Sequence, residues 1–299
     1  MKVTEVSKKK RIIIVEPSGN PNEFSLSRNI SHLQGKGFDV SRRMFEVDRK
    51  VSRLSADGVF IRARLLEEAL LDPHHAILMC ARGGYGASDL LESIDWDRCR
   101  AAPKKLLTGF SDITALQFAV SRKLGWNSLH CPMPGSLLWK NSNDDVGQLL
   151  NMLGNWPEEI GGELSLEGDH RHEISGKLFG GCLSVITALI GTPYMPQLDQ
   201  PYILFLEDVN ESSERLLRYW NQWAQSQDMR LPDAIVLGQL TAREDPIQSE
   251  LGYFPKHLQD RVECPVFKDA QFGHVPLNYP LGIGATARIK DNRLYWKMD

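Results

Sequence analysis

The stretch Lys105-Leu106-Leu107-Thr108-Gly109-Phe110-Ser111-Asp112-Ile113-Thr114-Ala115-Leu116 decides how the rest of the chain is read. Leu106 and Leu107 supply the apolar run of a short buried strand. Gly109 permits a tight turn that most side chains would strain. Ile113, Leu116 and Val120 then recur at helical spacing. Ser111 therefore stands where a strand ends and a helix begins. A hydroxyl there is lifted clear of the sheet, and free backbone N–H groups at the helix start can stabilise a developing negative charge. That is the geometry a serine nucleophile needs. Serine is equally at home there as an N-cap, and this stretch alone leaves both roles open.

Working outward, residues 76–80 (Ala-Ile-Leu-Met-Cys) form a second buried strand that runs into Arg82-Gly83-Gly84-Tyr85-Gly86 and then a helix through Leu90 and Leu91. Three glycines in four residues bring the backbone close to something. That can be a phosphate, a reacting carbonyl oxygen, or a tightly packed helix. The lysine and hydroxyl of a P-loop are missing, as is GxGxxG spacing. Upstream, residues 11–15 read as a first strand, 25–35 as a helix, and 62–71 as a helix stopped by Asp72-Pro73. This alternation up to about residue 135 predicts an α/β domain with a parallel sheet. Both glycine-bearing turns fall at the carboxyl ends of strands, where open α/β sheets place their ligands.

Downstream, Asp, Glu, Gly and Asn come to dominate and apolar periodicity fades. Residues 141–175 read as a linker, between an N-terminal domain (1–140) and a smaller C-terminal α/β domain (176–299). The second domain opens with a helix at 183–189. A strand at 202–206 ends at Glu207-Asp208, a helix carries Leu216, Leu217, Trp220 and Trp223, and 234–237 is another strand. A hairpin turns at Lys290-Asp291-Asn292-Arg293.

The 299 residues suit one large domain or two of ordinary size, and a net charge of −3 gives no reason to expect nucleic acid or an anionic membrane as partner. No stretch approaches the roughly 18 apolar residues of a membrane span. The apolar run after the basic residues 8–11 is too short for a signal peptide. Five cysteines, odd in number and without a CxxC pair, argue against a disulfide framework or zinc site and fit a reducing cytoplasm. With no HExxH spacing, the expectation is chemistry without metal or cofactor.

A serine nucleophile needs a base and a group that orients it. Of eight histidines, His74, His75, His170 and His172 stand in polar surroundings, His32 on a surface helix and His257 in a loop. His130 and His274 remain. His274 sits in Gln271-Phe272-Gly273-His274-Val275-Pro276-Leu277-Asn278-Tyr279-Pro280, a turn-rich segment able to aim a ring. Glu207 follows five apolar residues, where a carboxylate is costly unless it is paired or faces a site. A helix-start carboxylate is the other reading, and Asp208 competes for the orienting role.

Taken together, Arg82-Gly83-Gly84-Tyr85-Gly86, residues 109–116, Gly180-Gly181-Cys182-Leu183-Ser184, Leu206-Glu207-Asp208, and Gly273-His274 with Asn278 resemble the LD-carboxypeptidase family. These are serine peptidases that act on muropeptides. The motifs occur in the family's order over nearly the whole chain. The resemblance implies Ser111 as nucleophile, Glu207 as acidic member and His274 as general base. It implies an oxyanion hole from the backbone amides of Gly84 and Asp112, two α/β domains with the site in the cleft between them, and a homodimer. Three departures stand out. Glu16 replaces a small residue, Cys131 replaces the glycine that usually follows His130, and residues 141–176 carry no matching motif.

The expected reaction is metal-independent hydrolysis of the L,D-amide bond that holds the terminal D-alanine of a cytoplasmic murein tetrapeptide. Three alternatives stand beside it: cleavage of microcin-type peptide-nucleotide antibiotics, a non-catalytic muropeptide-binding protein, and a nucleotide-binding regulator using residues 82–86. Arg82 is a candidate for reading a substrate carboxylate, or else a salt-bridge partner.

Overall fold

A computed structural model describes residues 10–45, 51–168, 172–227, 229–241 and 253–298. The first half runs β1 (Arg11–Val15), α1 (Glu23–Gly35), β2 (Asp39–Arg43), α2 (Ala56–Leu71), β3 (Ile77–Cys80), α3 (Trp96–Cys99), β4 (Leu106–Gly109), α4 (Thr114–Leu124) and β5 (Ser128–His130). The second half begins with α5 (Asp144–Asn155), β6 (Ile160–Ser165), β7 (Ile174–Cys182), α6 (Leu183–Leu189), β8 (Tyr202–Val209), α7 (Ser213–Gln225) and β9 (Ala234–Thr241). It ends with α8 (Tyr253–Arg261), β10 (Val266–Phe267), β11 (Leu281–Ile283), β12 (Thr286–Lys290) and β13 (Arg293–Met298).

The first sheet has the order β11-β5-β4-β3-β1-β2. Its pairs are parallel except for β11 against β5. Central strands β3 and β4 are buried at every residue, as parallel strands covered by helices on both faces must be. The second sheet, β10-β9-β8-β7-β12-β13-β6, is mixed: β7 to β10 pair in parallel, and β12, β13 and β6 add on antiparallel. The two-sheet α/β architecture agrees with the sequence reading.

Residues 141–175 are not a bare linker. Helix α5 buries Val146, Leu149, Met152 and Leu153, and β6 pairs with β13 at the sheet edge. The buried positions do keep helical spacing, but intervening Asp, Asn, Gln and Gly dilute it. Nor does the chain divide cleanly at one point, since β11 leaves the second half to pair with β5. The halves also meet at Gly181, where a Cβ would stand 2.6 Å from Thr114 Oγ1. Strand β8 continues past Leu206 through Glu207 and Asp208, with a register shift against β9 between Leu206 and Asp208. Among the described residues, no helix is long and apolar enough to cross a membrane.

Candidate active site

At the end of β4, Phe110 is fully extended (φ −155°, ψ −172°) and Ser111 turns into the left-handed region at φ +65°. A non-glycine residue held there costs on the order of 1–3 kcal/mol, so its surroundings must dictate it. The cap positions of that turn and of α4 are Phe110 and Ile113, not Ser111. The serine Oγ lies 2.9 Å from Nε2 of His274. The hydroxyl is thus aimed out of the turn, and the N-cap role does not describe it.

Nδ1 of His274 lies 2.7 Å from Oε2 of Glu207. A carboxylate only accepts, so Nδ1 carries the proton and Nε2 is free to accept from Ser111 Oγ–H. The imidazole is 16% exposed at its side chain and Glu207 is fully buried. The ring packs on Phe110, 4.9 Å between centroids. Gly273, at φ +113°, lets the loop pass Glu207: a Cβ there would meet Glu207 Cβ at 3.0 Å.

The electrostatics follow from this burial. Desolvation disfavours the imidazolium, but the charge and hydrogen bond of Glu207, with the charge of Asp208, outweigh it and hold His274 above its ordinary pKa. Burial raises the Glu207 carboxyl against the opposing pull of His274. Asp208 is directed elsewhere. Its Oδ2 accepts from Ser184 N at 2.7 Å and its Oδ1 from Ser184 Oγ at 3.2 Å, tying it to the start of α6. Successive residues of a strand point to opposite faces, which separates the two neighbouring acids.

His130, the other candidate base, is fully buried among Phe110, Phe205 and Phe272. Burial lowers its pKa to about 3. Its Nε2 donates to Oδ1 of Asn278 at 3.1 Å, and the same oxygen accepts from Gly273 N at 2.9 Å. Asn278 N donates to Asp145 Oδ2 at 2.9 Å. This network holds the loop that bears His274. Asp145 lies in the stretch read as a linker, and an acid in the first turn of a helix carries no signal of such a task.

The glycine loop after β3 lies against the serine. A Cβ on Gly83 would stand 2.9 Å from Ser111 Cβ and 3.1 Å from its Oγ. Gly84 follows at φ +121°, and Asp112 follows Ser111 with its carboxylate buried. Arg82 is exposed, donates to Asn20 O at 2.7 Å, and makes no ion pair among the described residues. No three His, Cys, Asp or Glu side chains converge as a metal site would require among the described residues.

A serine-bearing turn from one α/β unit thus meets a histidine–carboxylate pair from the other, in a protein of two α/β units. The chain belongs to the LD-carboxypeptidase family: the family's N-terminal-domain model matches residues 12–131 and its C-terminal-domain model residues 175–289. It is 32% identical to the murein tetrapeptide carboxypeptidase of Pseudomonas aeruginosa, over 96% of this chain and 95% of that one. The muramoyltetrapeptide carboxypeptidase of Oxalobacter formigenes superposes with a TM-score of 0.82 at 26% identity, covering 96% of this chain and 98% of that one. The microcin C7 self-immunity protein in complex with aspartyl sulfamoyl adenosine gives 0.79 at 20% identity, over 98% and 97% of the two chains. That last likeness is one of fold.

Proposed function

We propose that this protein is a serine carboxypeptidase that removes the terminal D-alanine of murein tetrapeptides. The observation that carries the reading is the continuous hydrogen-bonded chain from Glu207 through His274 to Ser111. Ser111 Oγ attacks the carbonyl carbon of the L,D-amide bond while His274 Nε2 takes its proton. Glu207 keeps Nδ1–H oriented and offsets the imidazolium charge. The backbone N–H groups of Gly84 and Asp112 receive the oxyanion of the tetrahedral intermediate. His274 then protonates the leaving amine of D-alanine. Water, deprotonated by the same ring, frees the acyl-enzyme.

The names of the two carboxypeptidases favour the muropeptide substrate. The five cysteines are all free, which fits action in a reducing cytoplasm on murein fragments being recycled. The homodimer implied by the resemblance belongs to the same proposal and is checked by sedimentation.

The test is D-alanine release from a purified muramoyl tetrapeptide, with an aminoacyl sulfamoyl nucleoside run beside it. D-alanine release supports the proposal. Cleavage of the nucleoside conjugate alone moves the substrate to the microcin class. Tight muropeptide binding with neither cleavage makes the protein a binding module.

A further inference from the structure

Asp112 carries a carboxylate of only 6% exposure that has no part in the relay. Both of its hydrogen bonds fall on one oxygen: Oδ2 accepts from Ser18 Oγ at 2.5 Å and from Ala87 N at 2.8 Å. Ser18 lies in the loop after β1, Ala87 in the loop after β3, and Asp112 in the turn after β4. One buried oxygen therefore joins three strand-end loops of the first sheet. Hydrogen bonds to an ionised acceptor are the strong ones, and this oxygen receives two.

The connection continues through the backbone. Gly19 N–H donates to Gly83 O at 3.0 Å. In a planar trans peptide the carbonyl and the following N–H point in opposite directions, so holding Gly83 O fixes the direction of Gly84 N–H. Two arginines brace the same loops through their carbonyls. Arg62, buried on α2, donates from Nη1 to Pro17 O at 2.6 Å and to Gly86 O at 3.1 Å. Arg53 Nε donates to Ser18 O at 2.9 Å.

We propose that the Asp112 carboxylate is a positioning residue for the oxyanion pocket. Through Ser18 and Gly19 it sets the Gly83–Gly84 peptide, and by anchoring its own turn it sets the second donor, its backbone N–H. The inference rests on the reading of Ser111 as nucleophile. A misplaced donor weakens binding of the tetrahedral state and leaves ground-state binding nearly intact.

The test compares Ser18→Ala, Asp112→Ala and Asp112→Asn. Ser18→Ala and Asp112→Ala are expected to lower kcat on the order of 10–10²-fold with KM changed less than about twofold. Affinity for a peptide boronate, which forms a tetrahedral adduct on Ser111, should fall by the same factor. Asp112→Asn keeps one accepting oxygen at the same place and should recover most of both. Unchanged kcat in Ser18→Ala and Asp112→Ala overturns the inference. So does a fall in kcat with undiminished boronate affinity, or a loss that tracks only thermal stability. A wild-type protein that takes the boronate on Ser111 but releases no D-alanine refutes the substrate proposal alone, and the boronate comparison still decides the role of Asp112. A wild-type protein that does neither refutes both.

Discussion

Ser111 Oγ and His274 Nε2 stand 2.9 Å apart although 163 residues separate them in the chain. One comes from the carboxyl end of β4 in the first sheet, the other from the loop between β10 and β11. The pair exists only when both halves are folded together. If they form one catalytic unit with Glu207, Ser111→Ala or His274→Ala should each lower turnover on the order of 10⁴-fold, and the double variant should be little worse than either. Turnover of folded variants is the measurement. Near-normal D-alanine release by a folded Ser111→Ala protein would refute the mechanism.

The adjacent acids separate by direction. Glu207→Gln keeps an acceptor for Nδ1–H and removes the charge, so turnover should fall, though less than for His274→Ala. Asp208→Asn should spare the chemistry and act on stability through Ser184, by about 1–3 kcal/mol. Turnover and thermal melting of both variants check this. A crippled Asp208→Asn beside an active Glu207→Gln would move the acidic role by one residue.

The pH profile follows from the sign of the His274 shift. A histidine acting as general base works only when neutral. Burial alone would lower the pKa of His274, but Glu207 and Asp208 raise it above its ordinary value of 6.5. The acidic limb of kcat/KM should therefore be centred above pH 6.5, with activity rising as the imidazolium loses its proton. Glu207→Gln removes the charge that favours the imidazolium, so its limb should shift to lower pH. A limb that stays in place in Glu207→Gln would detach it from His274.

If the hydrogen-bonded chain from Glu207 through His274 activates Ser111, no metal is called for, and prolonged dialysis against a chelator should leave D-alanine release intact. Loss of activity on chelation with rescue by zinc would overturn the serine mechanism.

The parts of this site that were legible in the sequence are those that local rules govern. Apolar runs marked β3, β4 and β8, and turn chemistry marked Ser111 and Gly83 at strand ends. Fold class could be read from the same alternation. Choices made by distant contacts could not. The sequence leaves Glu207 and Asp208 in competition, and only the strand's alternation against His274 and Ser184 separates them. It leaves His130 beside His274 as a base, and only its aromatic surroundings exclude it. Ser18 and Asp112 lie 94 residues apart and meet across two strand-end loops, which no spacing rule connects. Helix α5 is not legible because its four buried apolar residues are outnumbered by polar neighbours.

That helix leads to the last prediction. Asp145 accepts from Asn278 N, and Asn278 Oδ1 accepts from both Gly273 N and His130 Nε2. Asn278 therefore closes the loop bearing His274 onto Gly273 and ties it to α5 and to β5 of the first sheet. Asn278→Ala would leave two buried donors without an acceptor, at a cost of about 1–3 kcal/mol for each such group. It should lower the melting temperature and also turnover, because the ring is no longer held toward Ser111. Asn278→Asp restores an accepting oxygen and should recover part of both. Asp145→Ala removes only the tie to Asn278 N and leaves Asn143 Nδ2 donating to Pro276 O, so its loss in turnover should be smaller than that of Asn278→Ala. Melting curves and kcat of the three variants, measured together, decide the matter. If Asn278→Ala melts earlier but turns over normally below its transition, the network serves stability and not the aim of His274.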